Sequence, residues 1–363
     1  MKRPLVRLLI LALLLGVPLY LILQVYPDVL WFSSLGYRAT WVRAITWQTG
    51  VFATFFALAF GVLWGNVRIA RAVSDPTEWV TSEPPRSVVA QLIVQLLSNF
   101  SRTRATTSLR FFNVLTWSVT LGGALILANA AVSQWDTIAK CWHQVPFGQT
   151  DPIFGKDLGF YVFTLPFLRF VYYWLLALVI LTLLLTGLTY AYRRILIYIV
   201  WPHQKISGLK THLMILLAAL FAIWSFGTWL KPFGLLFNPN TVLFGAGYVD
   251  AHVTQWGYLL AAGLLAFLAL SCVVVGVSKV SAIRVVYLFL VTLVVYVGAV
   301  RVYPGIVQSY VVDPNELAKE RPYIRHNIRF TRQGFNLHHV KEIEFPAKTN
   351  LTYADIRNNQ TTL

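Results

Sequence analysis

Charged residues are scarce in this sequence. Only 12% of its 363 residues are Asp, Glu, Lys or Arg, whereas 57% are hydrophobic and 15% are aromatic. Soluble globular domains carry about 25% charged residues, so this chain has roughly half the usual charge. The shortage excludes an ordinary soluble domain and predicts a protein that lies largely within a membrane.

Cysteine is almost absent, with Cys141 in a predicted outer loop and Cys272 near the opposite end of a predicted span. This separation is on the order of 24 Å at helical rise, whereas a disulfide needs Cα atoms within about 7 Å. We therefore predict no disulfide between them. Cys141 and His143 also lack the further ligands that a zinc site takes, so we predict no metal there.

Features of catalysis and of ion coupling are lacking too. The sequence has no HExxH motif, no phosphate-binding Gly loop and no recognisable pair of nucleophile and base. No Lys, Arg, Asp or Glu lies in the middle of a predicted span, although such residues mark proton relays and ion-coupled carriers. We predict a protein that is not an enzyme, with no catalytic residue and no cofactor, and we expect bound lipid.

What the sequence does have is a series of long apolar runs. A helix rises 1.5 Å per residue, so about 20 apolar residues cross the roughly 30 Å of hydrocarbon. The runs predict an all-α polytopic membrane protein with about seven transmembrane helices. The predicted spans are residues 8–25, 44–65, 111–132, 170–190, 213–230, 256–277 and 285–300.

We divide the chain into a transmembrane domain, residues 1–303, and a more polar end, residues 304–363. Pro314 and Pro322 interrupt the polar end, and the alternating VKEIEF is typical of a half-buried strand. About fifty residues of this composition bury too little apolar surface to fold alone. We therefore predict that residues 304–363 are the start of a soluble domain.

The basic residues decide the predicted orientation. Lys and Arg are more than twice as frequent in the amino-terminal tail and the loops on its side as in the loops on the other side. Because basic loops stay in the cytoplasm, the amino terminus is predicted to be cytoplasmic and the carboxy-terminal segment extracytoplasmic. The same rule explains the net charge of +16, and we predict no nucleic-acid partner because no compact basic face is apparent.

The predicted outer loop Pro146 to Phe167, PFGQTDPIFGKDLGFYVFTLPF, allows two interpretations. In the first, Asp151, Asp157 and Asp250 of the next outer loop bind a cation together with backbone carbonyls. In the second, Gly and Pro set tight turns that the Asp side chains cap, and the aromatic residues anchor the loop at the membrane surface. We favour the second, assign no metal site, and keep the three Asp residues as weak candidates.

Four segments carry a resemblance to a known family. LWFSSLGY, PFGQTDPIFGKDLGFYVFTLPF, FGAGYVDAHV and VVDPNELAKERPYIRHNIRFTR follow in this order from about Leu30 to Thr331. This set resembles uncharacterised protein family 0182, large bacterial and cyanobacterial membrane proteins with several amino-terminal spans and a large extracytoplasmic domain. The resemblance implies an integral protein of the bacterial plasma (inner) membrane or the cyanobacterial thylakoid membrane.

The same resemblance implies a biochemical role that is not established, and it supplies no catalytic residues. Family members continue for several hundred residues beyond the point where this sequence ends. The resemblance thus implies that this chain carries the amino-terminal membrane region and the start of the outer domain.

Two functions stay open. The favoured hypothesis is a non-enzymatic scaffold or accessory subunit, which presents aromatic outer loops to a partner complex or to the outer domain. Its expected partners are membrane lipids and either a membrane protein complex or further copies of itself. The alternative is a transporter or channel for a lipid or a small polar solute, which would usually show inverted repeats and broken helices.

Overall fold

The computed structural model describes residues 25–74, 111–200, 208–238, 244–341 and 352–358, together with Gly16, Leu19 and Leu23. Nearly all of these residues are helical. Within the described ranges, Thr150 and Asp157 form an isolated antiparallel bridge. The predicted all-α class is therefore confirmed for this part of the chain.

Eight described helices are labelled in chain order. They are α1 Arg38–Val73, α2 Phe111–Val132, α3 Trp135–Trp142, α4 Leu165–Val200, α5 Leu209–Gly234, α6 Gln255–Val277, α7 Ile283–Gly334 and α8 Tyr353–Asn358. Residues 25–34 are helical as well. π-helical turns, Phe160–Thr164 and Asp250–Thr254, lead into α4 and α6, and the 3-10 turn Leu235–Phe237 follows α5.

Six of these helices are long and apolar enough to cross a membrane: α1, α2, α4, α5, α6 and α7. Each contains one of the last six predicted spans, and α2 ends at Val132, the predicted end of the span 111–132. The first predicted span, 8–25, lies almost entirely outside the described residues. The total of seven spans and the orientation of the bundle therefore stay predictions.

Several helices extend beyond the apolar runs that predicted them. The helical backbone that leads into α4 begins at residue 158, so the last part of the predicted loop Pro146 to Phe167 is helical. α7 continues for 52 residues to Gly334, although Pro304, Pro314 and Pro322 lie within it. Proline removes a helical hydrogen bond, and the π-helical turns Gly298–Val302 and Gln308–Val312 adjust the helix just before two of these prolines. Most of the predicted strand VKEIEF, from Glu342 onward, lies outside the described residues.

Three apolar clusters lie in the interior of the described bundle, and the third, formed by Tyr161, Leu165, Leu230 and Phe233, joins the start of α4 to the end of α5. The first joins α1, α2 and α4 and includes Leu63, Leu127 and Trp174. The indole N–H of the buried Trp174 donates a hydrogen bond of 3.0 Å to the carbonyl oxygen of Leu127. The second cluster joins α5, α6 and α7 and includes Phe221 and Leu268. The bundle therefore consists of two groups of three packed helices, connected through α4 and α5.

Small residues set the spacing of the second group. A Cβ atom added at Gly257 of α6 would lie 2.4 Å from the carbonyl oxygen of Ala299 in α7. At the opposite end of α6, the hydroxyl of Thr211 in α5 donates a 2.8 Å hydrogen bond to the carbonyl oxygen of Gly276. Glycine at these crossings lets the backbones approach closely, as is common between helices in membranes.

A buried histidine connects the two groups. His212, near the start of α5, places Nδ1 2.8 Å from the hydroxyl of Tyr190 in α4 and Nε2 2.9 Å from Oδ1 of Asn66 in α1. Both ring nitrogens are thus engaged by polar partners. The two bonds satisfy a ring that would be costly to bury alone, and they fix α1, α4 and α5 relative to one another.

Candidate functional site

Three segments that are distant in sequence meet at one end of the bundle. They are the loop 150–158 before α4, the segment 244–252 before α6, and residues 320–331 of α7. We call this meeting point the junction. Each segment belongs to one of the sequences that carry the family resemblance, so the structure brings these sequences together.

The loop 150–158 is a compact turn organised by Asp157. The Asp157 carboxylate accepts hydrogen bonds from the backbone N–H groups of Phe147, Gly148 and Gly159, at 3.0, 3.0 and 2.7 Å. Gly148 has φ +71°, a left-handed conformation that favours glycine. These N–H groups, that of Phe147 foremost, hold the pKa of the Asp157 carboxyl below its usual range because they stabilise the charged form.

On the buried side of the loop, the Asp151 carboxylate likewise accepts hydrogen bonds from backbone N–H groups. Asp151 is 4% exposed, and its carboxylate accepts the backbone N–H groups of Ile153 and Phe154 at 2.9 and 2.8 Å. The hydroxyl of Tyr161 donates a third hydrogen bond of 2.9 Å. Three donors around one carboxylate satisfy its burial and attach the loop to the start of the helical region that leads into α4.

Glu320 attaches α7 to the segment 244–252. Its side chain is buried, at 7% exposure, and both carboxylate oxygens lie within reach of the backbone N–H of Tyr248, at 3.0 and 3.2 Å. A Cβ atom at the neighbouring Gly247 would lie 2.9 Å from Oε1 of Glu320. A side chain at position 247 would therefore force this carboxylate to shift.

Three further contacts reinforce this attachment. The side-chain amide of Asn327 donates a 2.6 Å hydrogen bond to the carbonyl oxygen of Phe244, and the hydroxyl of Tyr323 lies 3.1 Å from Nδ1 of His252. The ammonium group of Lys319 lies 4.8 Å from the centre of the Tyr248 ring, a distance suited to a cation–π contact. α7 is thus held along three turns of its polar part.

A cavity of about 230 Å³ lies between the three segments. Asp151 and Ile153 line it from the loop, Phe244 from the second segment, and Asn327 and Phe330 from α7. Its wall mixes aromatic, aliphatic and polar side chains. Such a space accepts a small polar group or one side chain of another molecule.

The structure separates the three Asp residues that the sequence offered as weak metal candidates. Asp151 and Asp157 lie in one loop, each with its carboxylate directed at backbone N–H groups, whereas Asp250 begins the π-helical turn Asp250–Thr254. In the part of the chain that is described, no three His, Cys, Asp or Glu side chains form a group that could hold a metal ion. The turn geometry matches the favoured interpretation of the loop.

Sequence reasoning missed the residues of α7 that complete the junction. Glu320, Tyr323 and Asn327 lie in a charged stretch that was interpreted as the irregular start of a soluble domain. Their spacing of three and four residues is a helical signal, and a helix over this stretch would have placed them on one face. Pro322 within the stretch obscured that signal.

Comparison with known proteins identifies the family. A model of the uncharacterised protein family UPF0182 matches residues 5–363. A UPF0182 protein of Trichodesmium erythraeum is 31% identical over 340 residues, which are 92% of this chain and 34% of the relative. A UPF0182 protein of Cupriavidus necator is 31% identical over 93% of this chain and 35% of its own length. One of Synechococcus sp. (strain JA-3-3Ab) is 35% identical over 68% of this chain and 31% of its own length.

No solved structure matches the chain. The chain spans about a third of the length of the curated relatives it matches. The family match covers the loop, the segment before α6 and the polar part of α7 that together build the junction. This chain belongs to the uncharacterised protein family UPF0182.

Proposed function

We propose that the chain is a non-enzymatic integral membrane scaffold, and that its junction is the surface on which an outer domain or a partner complex is mounted. The observation that carries the proposal is the attachment of α7 to the segment 244–252 through Glu320, Asn327 and Tyr323. The proposal extends to the family, whose members are longer than this chain.

The length of α7 supports this role. About 20 residues suffice to cross the roughly 30 Å of hydrocarbon, and α7 has 52. Its apolar first part therefore suffices to cross a membrane, and its polar part, beyond the 3-10 turn Asp313–Asn315, packs against the segment 244–252 and the loop 150–158. These contacts support a role of the polar part in positioning what is mounted on the junction.

The hydrogen bonds that the Asp151 and Asp157 carboxylates accept favour a structural role for these residues over a catalytic one. Asp151 and Asp157 each accept three hydrogen bonds from groups of their own loop. A general acid or base needs a lone pair or proton directed at a substrate. These side chains instead hold the turn in place, which suits a preformed docking surface.

We further propose that the junction lies on the extracytoplasmic side of a bacterial inner membrane or a cyanobacterial thylakoid membrane. The excess of Lys and Arg in the loops of the opposite end supports this orientation. Exposed aromatic side chains surround the junction end, among them Trp142, Phe147 and Phe244 at 77%, 55% and 63% exposure. Such residues suit both the headgroup level of a membrane and the centre of a protein interface.

Native mass spectrometry of the protein, released gently from its own membrane, tests the proposal. We expect a stoichiometric partner protein or a second copy of the chain to leave the membrane with it. A variant that combines Glu320→Ala with Asn327→Ala should lose this companion. The matched control, Glu316→Ala with Gln333→Ala, changes exposed residues of the same helix and should retain it. A chain that always leaves alone, with lipid only, contradicts the scaffold.

That last result would favour the second candidate, a transporter or channel for a lipid or small polar solute. One observation supports it, a largely apolar groove of about 500 Å³ between α5 and α6. Ala218, Ala222 and Ser225 line it from α5, and Ala266 and Ala269 from α6. Reconstitution into vesicles that carry a fluorescent lipid would then test transfer across the bilayer, with Ala222→Leu and Ala266→Leu as the blocking changes.

A further inference from the structure

A basic pocket lies at the end of the bundle opposite the junction. α4 follows the junction loop at its start and reaches this pocket near its end, at Arg193. The pocket has a volume of about 390 Å³ and is lined by Trp64, Arg68, Arg71 and Ala72 of α1 and by Trp117 of α2. Its volume lies within the roughly 300–1,000 Å³ of typical ligand pockets.

The two arginines of the pocket are held in different ways. The guanidinium of the exposed Arg68 lies 4.9 Å from the centre of the Trp64 ring. The half-buried Arg71 donates from Nη2 to the hydroxyl of Thr116 and, at 3.5 Å, to the carbonyl oxygen of Asn113. Its Nε atom is buried and has no hydrogen-bond partner among the described residues. Thr116 and Asn113 therefore fix the Arg71 side chain at the wall of the pocket.

Several guanidinium groups lie close together at this end of α1. Arg193 donates from Nη1 to the carbonyl oxygens of Arg71 and Ser74, at 2.9 and 3.3 Å, and so brings a third guanidinium to this end of α1. Within the described ranges, no carboxylate lies within 4 Å of the guanidinium of Arg68 or Arg71. Like charges repel at this range, and a bound anion would offset the repulsion.

The position of the pocket along α1 indicates where such an anion would lie. The predicted span 44–65 ends at the turn that carries Trp64, and the two arginines follow within the next two turns. Tryptophan is enriched at the headgroup level of membranes. Basic pockets between helices at this level suit the headgroups of anionic lipids.

We infer that this pocket binds the phosphate group of an anionic ligand at the membrane surface, supplied either by a phospholipid headgroup or as free phosphate. Guanidinium groups match phosphate oxygens with paired N–H donors. Arg68 and Arg71 are the binding residues, and the rings of Trp64 and Trp117 form the apolar wall beside them. The inference does not depend on the scaffold proposal, because it concerns the other end of the bundle.

Thermal unfolding of the purified protein in a neutral detergent tests the inference, with three added probes: phosphatidylglycerol, phosphatidylcholine and inorganic phosphate. We expect phosphatidylglycerol to raise the melting temperature and phosphatidylcholine not to. The double variant Arg68→Gln, Arg71→Gln should bind phosphatidylglycerol with an affinity on the order of 30-fold lower. This factor follows because each arginine contributes about 1 kcal/mol to the binding free energy. If inorganic phosphate also stabilises the protein through this site, free phosphate is the source of the bound group. If inorganic phosphate has no effect, the phospholipid headgroup is the source.

The matched control is Arg38→Gln, Arg43→Gln, which removes the same charge from exposed positions at the other end of α1. It should keep the full response. Arg68→Gln alone should weaken binding by about 5-fold and avoids any change at the half-buried Arg71. The inference is overturned if phosphatidylglycerol and phosphatidylcholine act equally, if no probe stabilises the protein, or if the control pair loses as much affinity as the pocket pair.

Discussion

The carboxylate of Glu320 and the backbone N–H of Tyr248 are joined by a hydrogen bond of 3.0 Å although 72 residues separate them in sequence. The bond connects the polar part of α7 to the segment that leads into α6. Because Glu320 is buried, the loss of its side chain leaves the Tyr248 N–H without its acceptor.

Glu320→Ala should lower the free energy of unfolding by about 1.5–3 kcal/mol, the range for a hydrogen bond to a charged group. Glu320→Gln keeps an acceptor and should cost less. Reversible unfolding in mixed micelles measures the free energy of unfolding of the Glu320→Ala and Glu320→Gln variants. Glu316→Ala, an exposed carboxylate one turn earlier in α7, is the control and should change the free energy by no more than about 0.5 kcal/mol. Equal losses at both positions would argue against the bond as described.

Gly247→Ala should also weaken the junction. Its new Cβ atom would lie 2.9 Å from Oε1 of Glu320, so the carboxylate must move away from the Tyr248 N–H, at a cost of about 1–3 kcal/mol. Gly263→Ala in α6 meets nothing within 4 Å and should be neutral or stabilising, since alanine favours a helix over glycine by roughly 1 kcal/mol. A double change of Gly247→Ala with Glu320→Asp, whose side chain is shorter, should recover part of the loss.

The loop 150–158 should lose stability in acid. Because the pKa of Asp157 is lower in the folded protein than in the unfolded chain, its contribution is present above the unfolded pKa and is lost as the pH falls through the folded pKa. At neutral pH the unaltered protein should melt above the Asp157→Asn variant. The difference in melting temperature between the two proteins should disappear as the pH falls below about 4, the ordinary pKa of Asp. A difference that stays constant with pH would show that charge on Asp157 contributes nothing.

Calcium should leave the melting temperature of the unaltered protein unchanged. The carboxylates of Asp151 and Asp157 are engaged by N–H and O–H donors of their own loop, and a cation would have to displace these bonds. Melting curves with calcium and with a chelator measure the effect. A calcium-dependent rise that the double change Asp151→Asn, Asp157→Asn abolishes would restore the cation site as the better interpretation.

The helices of the bundle could be predicted well from sequence because apolar length is a local signal. The run 111–132, for example, correctly predicts that α2 ends at Val132. The ends of α4 and α7 could not be predicted in this way, since the residues past the apolar run are aromatic or charged and their helical state depends on tertiary contacts. Tyr161, for example, lies in a helical turn and is held there by Asp151.

The junction could be predicted only in part. Sequence reasoning singled out its three segments and foresaw that Asp151 and Asp157 would stabilise turns. It did not foresee that Asn327 would reach the carbonyl oxygen of Phe244, 83 residues earlier. No periodic pattern in the sequence indicates which distant segments contact one another, because these contacts depend on how the whole bundle packs.

The close crossing of α6 and α7 has a mechanical consequence. Gly257 leaves no space beside the carbonyl oxygen of Ala299, so α7 cannot roll at this point without moving α6. Farther along, the 3-10 turn Asp313–Asn315 interrupts α7, and Asn315 has φ −144° and ψ +48°, outside the helical region. A movement of the apolar part of α7 at this crossing therefore has to move α6 as well, whereas the polar part beyond Asn315 is held by its own hydrogen bonds to the segment 244–252.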